Sequence, residues 1–285
     1  MTVALVTGTS SGIGLHSAVG LANAGCEVVA TMRDLGKRHA LDEAAAGAGV
    51  ELDVRALDVV DHDGARSCVS SVVADHGGLD IVVNNAGQGL VGTLEQLSDD
   101  DLRAQMEVNY FAVALLTRLA LGVMRGAGRG RVVTVTSVGG AVGQPFNDAY
   151  CASKFAVEGL LQSLAPVAAR LGIAVSIVEP GPVSTEFVTG IMARGDGALR
   201  QRSGAPAGAD DAYGPLLAAY VARTQQTFSQ AQRAEDVAAV VVEAAMTDRP
   251  RFRWQTSDAA RAFVAQSLRD LDGATVLTET STWLS

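Results

Sequence analysis

The chain has 285 residues, 48% of them hydrophobic, and a formal net charge of −9. That is ample apolar material for one substantial core, and an acidic balance without a basic cluster excludes a nucleic-acid backbone as partner. Three scattered cysteines (Cys26, Cys68, Cys151) and four histidines confined to the first third lack metal-ligand spacing, which predicts no metal site and a reducing, cytoplasmic setting. No apolar run is expected to reach membrane-spanning length, so no membrane insertion is predicted. The N-terminus opens on strand-like Val3-Ala4-Leu5-Val6, without the pattern of a secretory signal.

Short apolar runs alternate with helical stretches from residue 3 to about residue 180. Strands are predicted at 3–7, 27–31, 51–57, 79–84, 131–137 and 173–179. Helices are predicted at 14–24, 35–46, 61–76, 98–125 and 149–171. This alternation predicts an α/β fold, a doubly wound parallel sheet of Rossmann-like type with helices on both faces. Ile81-Val82-Val83 and Val132-Val133 are continuous apolar runs, as in strands buried on both faces. Residues 50–55 alternate, as a half-exposed edge strand does. The first strand is therefore expected in the centre and the third at an edge. Beyond 190 the rhythm breaks into glycine-rich stretches. Helices are then predicted at 213–228, 234–246 and 258–268, and a last strand at 251–254.

Two motifs carry chemistry. Only two lysines, Lys37 and Lys154, occur beside four tyrosines. A Tyr-x-x-x-Lys is then expected by chance about 0.03 times, yet Tyr150 stands four residues before Lys154. On a helix the two share a face. An ammonium beside a phenol favours the phenolate and lowers the phenol pKa, which makes an acid/base able to work near neutral pH. Taken alone, the pair is equally two residues on a solvated helix face. The second motif, Thr7-Gly8-Thr9-Ser10-Ser11-Gly12-Ile13-Gly14, joins the first strand to the first helix. Its glycines allow a tight turn and let a pyrophosphate approach backbone N–H groups at a helix N-terminus. At the tip of the second strand, Arg33 suits the 2′-phosphate of NADP, whereas Asp34 lies near the separation of an NAD-type carboxylate. NADP(H) is favoured, with NAD(H) left open.

Thr7-Gly8-x-x-x-Gly12-x-Gly14, Asn84-Asn85-Ala86-Gly87, Asn109, Ser137, Tyr150-x-x-x-Lys154 and Pro180-Gly181 appear in an order that resembles the short-chain dehydrogenase/reductase family over roughly residues 1–190. The stretches 12–16, 30–35, 137–140 and 145–156 resemble its 17β-hydroxysteroid and retinol dehydrogenase subgroup. The resemblance implies an oxidoreductase. Its catalytic group would be Asn109, Ser137, Tyr150 and Lys154. Tyr150 would exchange a proton with the substrate oxygen, and Ser137 would hydrogen-bond that oxygen. Lys154 would lower the Tyr150 pKa and hold the nicotinamide ribose, and Asn109 would position a water behind it. Cofactor contacts would come from Gly8, Ser10, Ser11, Gly12, Ile13, Gly14, Arg33, Asp58, Val59, Asn85, Ala86, Gly87, Tyr150, Lys154, Pro180, Gly181, Val183 and Thr185.

The expected substrate is a small hydrophobic carbonyl or alcohol, steroid-like or retinoid-like. It would be lined by Leu90, Ser137, Val142, Phe146, Tyr150 and Phe187, with Ile191, Met192, Leu217 and Tyr220 nearby. The steroid-specific pattern implies a histidine in the covering segment, but residues 190–285 contain none. Two other readings remain: a reductase of acyl or polyketide intermediates, and a non-catalytic NADP(H) sensor. We read one domain over 1–285, comprising a cofactor-binding and catalytic core (1–190), a substrate-covering segment (191–230) and C-terminal elements (231–285). A homodimer or homotetramer is expected, with Ala156, Leu160, Leu161 and Leu164 facing the partner copy.

Overall fold

The computed structural model describes residues 1–185 and 212–284. Phe187, Ile191 and Met192 lie outside the described residues. Strands β1 (Thr2–Thr7), β2 (Cys26–Met32), β3 (Asp53–Ala56), β4 (Ile81–Asn84), β5 (Gly130–Val135), β6 (Ile173–Glu179) and β9 (Arg253–Gln255) form one sheet in the order β3-β2-β1-β4-β5-β6-β9. Every pairing in it is parallel. Two short strands, β7 (Val183–Ser184) and β8 (Gln232–Arg233), pair separately.

Strand periodicity builds the two layers that cover the sheet. Val3 and Leu5 of β1 enter one apolar cluster, and Ala4 and Val6 enter the other. In β4, Val82 faces the first cluster while Ile81 and Val83 face the second. Alternate side chains must point to opposite faces, so a strand apolar throughout needs helices on both sides. The first face is closed by α3 (His62–His76), α5 (Ala112–Ala127) and α6 (Asp148–Ala169). The second is closed by α1 (Gly12–Asn23), α2 (His39–Ala48) and α8 (Ala234–Met246). Three further helices, α7 (Gly214–Phe228), α9 (Asp258–Arg269) and α10 (Ala274–Ser281), stand outside these layers.

Four expectations need correction. The middle strand is β4, with β1 beside it, because β5, β6 and β9 all add beyond β4. The helix predicted at 98–125 is α4 (Asp99–Met106), a π-helical turn (Glu107–Phe111) and then α5. That continuous run, Asp99–Ala127, is also long and apolar enough to cross a membrane by length and composition. Its first turn, however, carries Asp99, Asp100 and Asp101, and Leu115, Leu116, Ala120 and Met124 pack into the core. Finally, Leu161 is fully buried in the first cluster and faces no partner copy, whereas Ala156, Leu160 and Leu164 are half-buried. Position 161 follows Val157 by one turn, and both point at the sheet.

A parallel sheet has one carboxyl edge. Thr7 pairs with Thr31, Asn84 with Thr134 and Val135 with Val178, so the loops after β1, β2, β4, β5 and β6 emerge together. Ligands of open α/β sheets bind at that edge. Truncating Leu161 to alanine should cost about 2–5 kcal/mol of stability, the range for a leucine deleted from a closed core. Denaturant unfolding measures this, and an unchanged midpoint would contradict its placement under the sheet.

Candidate active site

The turn after β1 comes closest to other backbone at two glycines. Gly8 has φ +71°, and a Cβ there would lie 2.9 Å from Ala86 Cα. A Cβ on Gly14 would lie 2.2 Å from the Gly8 carbonyl oxygen and 2.3 Å from Asn85 Nδ2. Side chains are thus excluded by contact, and the amide face of the turn stays bare. Asn85 Nδ2 donates to Thr7 O at 2.9 Å and Gly8 O at 3.0 Å. The Thr7 hydroxyl accepts from the N–H groups of Asn85 and Ala86 at 3.0 and 3.1 Å. Thr7 and Asn85 therefore clamp the first turn to the loop after β4. Thr185 closes over the turn, since a Cβ on Gly12 would touch its Cγ2 at 3.1 Å. Val183 packs with Ile13. Ser11 occupies the N-cap position of α1 without a side-chain cap bond, and Ser10 beside it is half-buried. A cradle cleared of Cβ atoms at a helix N-terminus, with an uncommitted hydroxyl, fits a dinucleotide phosphate.

The adenosine end is more open. Arg33 is exposed and makes no hydrogen bond or ion pair among the described residues. The neighbouring Asp34 carboxylate accepts the Gly36 N–H at 2.9 Å, capping a short turn. Asp58 accepts from Val60 N–H at 3.2 Å. The Val59 side chain belongs to the core, so only its backbone is left to face a ligand.

Asn109 sits in the π-helical turn, whose extra residue re-aims the side chain. It is buried, donates to Gln88 O at 2.9 Å and Ser153 Oγ at 3.0 Å, and accepts from Gln88 N at 3.0 Å. Ser153 in turn donates to Tyr150 O at 2.7 Å. Asn109 therefore ties the loop after β4 to α6. A Cβ on Gly87 would meet both Asn109 Oδ1 and Lys154 Nζ, at 3.3 and 3.7 Å, so Gly87, Asn109 and Lys154 converge on one spot.

Ser137 lies two residues past β5 and accepts the Gly139 N–H at 3.0 Å. The next amide, Val138 N–H, donates to Pro180 O at 2.9 Å, which joins the Ser137 turn to the Pro180-Gly181 segment. Tyr150 and Lys154 project from one face of α6, with the Lys154 ammonium 5.9 Å from the Tyr150 ring centroid. Lys154 Nζ donates to Val135 O at 3.1 Å.

The electrostatics differ from the expectation of a lowered phenol pKa. Part of Tyr150 keeps solvent contact, yet burial of its hydroxyl region raises the phenol pKa, and the side-chain hydrogen bond with Ser137 opposes that rise. Burial likewise lowers the Lys154 ammonium to about 8, against the supporting charge of Glu158. Desolvation outweighs the phenol–ammonium attraction because Lys154 directs its N–H at a carbonyl and both groups sit in low dielectric.

The substrate-side residues divide. Leu90 is half-buried. Val142 is buried against Ala260 and Val264. Phe146 is buried against Val91 and Tyr220, with Leu217 at the margin. Phe146 also has φ +58°, a left-handed backbone that a phenylalanine holds only under restraint. Its carbonyl accepts Gly92 N–H at 2.8 Å, and its ring lies 5.5 Å from that of Tyr220. Sequence reasoning did not select Ser153, the Thr7 hydroxyl as a clamp, or Glu158, Glu179 and Arg253. Glu158 alone carried a signal, standing four residues after Lys154 and eight after Tyr150.

This bare glycine cradle and the Ser137–Tyr150–Lys154 group share one sheet edge, and the short chain dehydrogenase family model matches residues 2–194. The chain belongs to that family and is an oxidoreductase. It is 36% identical over 284 residues to 17-beta-hydroxysteroid dehydrogenase type 1 from Homo sapiens, covering 97% of this chain and 84% of that protein. It is 39% identical over 258 residues to retinol dehydrogenase 8 from Homo sapiens, covering 89% and 80%. A short-chain dehydrogenase/reductase from Burkholderia phymatum solved in complex with NAD is 27% identical, with a TM-score of 0.79 over 95% of this chain and 94% of that one. A metagenomic short-chain oxidoreductase in complex with NADP is 28% identical, with a TM-score of 0.67 over 89% and 95%.

Gly14→Ala should weaken NADPH binding at least about tenfold, a loss of ~1.4 kcal/mol, in a fluorescence titration. Gly47→Ala, whose Cβ meets nothing within 4 Å, is the matched control and should bind as the unaltered chain does.

Proposed function

We propose that this protein interconverts a hydrophobic ketone or aldehyde and its alcohol with NADP(H). The observation that carries this reading is that Ser137 Oγ and the Tyr150 ring converge on Gly139, each 3.3 Å from where its Cβ would lie, with the Lys154 ammonium on the same helix face as Tyr150. When bound, the nicotinamide supplies or takes up hydride. Gly8, Gly12 and Gly14 would hold its phosphates, with Ser10 and Ser11 beside them. In reduction, Tyr150 gives its phenolic proton to the carbonyl oxygen, and Ser137 donates a hydrogen bond to the same atom. In oxidation, Tyr150 takes that proton back. A phenol held neutral by burial is ready as the acid of the reductive direction. Lys154 charge favours the phenolate left behind. Asn109 holds Gln88 and Ser153 in place, so that α6 and the loop after β4 keep their spacing.

Three observations favour NADP(H) over NAD(H). Arg33 is an exposed cation without a partner among the described residues, Asp34 is engaged as a turn cap, and Ser11 has no cap bond to give up. For the substrate, support comes from relatives named for hydroxysteroid and retinol dehydrogenation, and from the apolar cast of Leu90, Val91 and Val138. The absence of histidine from residues 190–285 argues for an apolar body rather than a phenolic hydroxyl as the recognised feature. Three buried, unpaired cysteines suit a cytoplasmic location. Exposed Phe111, Phe155 and Val167 offer apolar surface for a homodimer or homotetramer.

A panel of estrone, retinal and medium-chain ketones, followed by loss of NADPH or NADH absorbance, tests the reading. Tyr150→Phe should reduce turnover at least about 100-fold, the lower range for losing a general acid. Turnover unchanged in that variant removes Tyr150 as the acid. Arg33→Ala should raise the KM for NADPH about tenfold or more, one charge-assisted contact, and leave that for NADH unchanged. Faster NADH use by the unaltered chain would overturn the cofactor preference.

A further inference from the structure

The mechanism above leaves a buried ionic cluster unused. Glu158 and Glu179 are 2% and 0% exposed. Arg253 bridges them: its Nη1 donates to Glu158 Oε2 at 2.7 Å and also to Glu179. Gln255 donates to the other oxygen of Glu179. Glu158 and Glu179 belong to elements that carry part of the site. Glu158 follows Lys154 on α6. Glu179 ends β6, immediately before Pro180-Gly181. Arg253 and Gln255 lie on β9, which pairs with β6 over these same residues.

The second oxygen of Glu158 distinguishes this cluster from a simple structural ion pair. Oε1 is buried and has no close hydrogen-bond partner among the described residues, although the Thr136 hydroxyl supports the charged carboxylate. It presses on the turn after Ser137, where a Cβ on Gly140 would lie 2.2 Å from it. Breaking or underpairing a buried carboxylate is expensive, and an apolar residue would fill this place at lower cost. The charge does reach the catalytic pair. Glu158 acts electrostatically on both Lys154 and Tyr150, raising the pKa of each. It does so without touching Lys154, whose N–H is committed to Val135 O.

We propose that Glu158 is a positioning residue of the Tyr150–Lys154 site: its buried carboxylate supplies the negative charge that keeps the Lys154 ammonium protonated one helical turn away, while Arg253 and Glu179 fix where that carboxylate lies. The proposal rests on the reading of Tyr150 and Lys154 as the working pair. The groups that face Glu158 are Lys154 and Tyr150 from its own helix, Glu179 from β6, Arg253 from β9, and the uncharged Thr136 just past β5. Only backbone faces it from the turn at Gly140. Burial, then Glu179, push the Glu158 carboxyl up to about 7, with Arg253 and the Thr136 hydroxyl opposing. The sign follows directly. Below that value Glu158 is neutral and gives Lys154 no support. Above it the carboxylate is charged and holds the proton on Lys154 to higher pH.

The chain has only two lysines, so protein labelled with 13C at the lysine ε-carbon gives two side-chain signals, and Lys37→Arg assigns them. In the unaltered chain the Lys154 signal should show two inflections, one from Glu158 near neutrality and one from its own deprotonation. Glu158→Gln should remove the lower inflection and move the Lys154 midpoint down by about half a pH unit or more. Glu158→Asp keeps the charge and should restore most of that displacement. If Glu158→Gln does not fold, the two-inflection trace of the unaltered chain decides alone. A single inflection there, or a Lys154 midpoint shared by the unaltered chain and Glu158→Gln, overturns the proposal. None of these readouts needs turnover. Failure here with Tyr150→Phe inactive leaves the catalytic reading standing, whereas an active Tyr150→Phe removes that reading whatever the titration gives.

Discussion

Buried polar groups are costly to leave unpaired, and the carboxyl edge of this sheet is where that demand is concentrated. Strand ends leave backbone N–H and C=O groups with no ladder partner, and those groups need partners elsewhere. Polar side chains take up these groups. The Thr7 hydroxyl accepts two amides, and Asn85 donates to two carbonyls. Asn84 reaches the hydroxyls of Thr117 and Thr134, and Lys154 caps Val135 O. The resulting network makes the first turn, the loop after β4, the Ser137 turn and α6 a single rigid edge. The geometry of the candidate site on such an edge is set by the same bonds that hold the fold.

That economy has an electrostatic consequence. A residue that satisfies a buried carbonyl must itself be buried, and burial penalises its charged form. Lys154 is 6% exposed, so its ammonium is held against a desolvation cost that lowers it to about 8. The phenol of Tyr150 is pushed the other way by the same cause. The working state of the pair therefore depends on charges placed further along α6 and on the neighbouring strands.

Much of this was legible in the sequence. The α/β alternation, the edge position of β3 and the exact span of α8 follow from hydrophobic periodicity. The motif residues Gly8, Gly14, Asn85, Asn109, Ser137, Tyr150 and Lys154 all gather at the carboxyl edge. Other features were not legible. A 29-residue helical segment reads the same whether it is straight or contains a π-turn, and only packing around Asn109 decides that. Leu161 and Leu160 are alike in sequence, but the rotation of about 100° between successive helical residues puts the first into the core and leaves the second half-exposed. Val142 and Phe146 read equally as pocket lining or as core, because apolarity does not tell which surface will meet them.

The sequence by itself determined the α/β class, the order of elements along the chain and which residues gather at the candidate site, since those depend on local period and on rare residues at fixed spacing. Only the tertiary structure decided the protonation balance. Glu158, Glu179 and Arg253 are 21 to 95 residues apart along the chain. The field they create depends on distance and burial, which strand pairing supplies and sequence spacing does not.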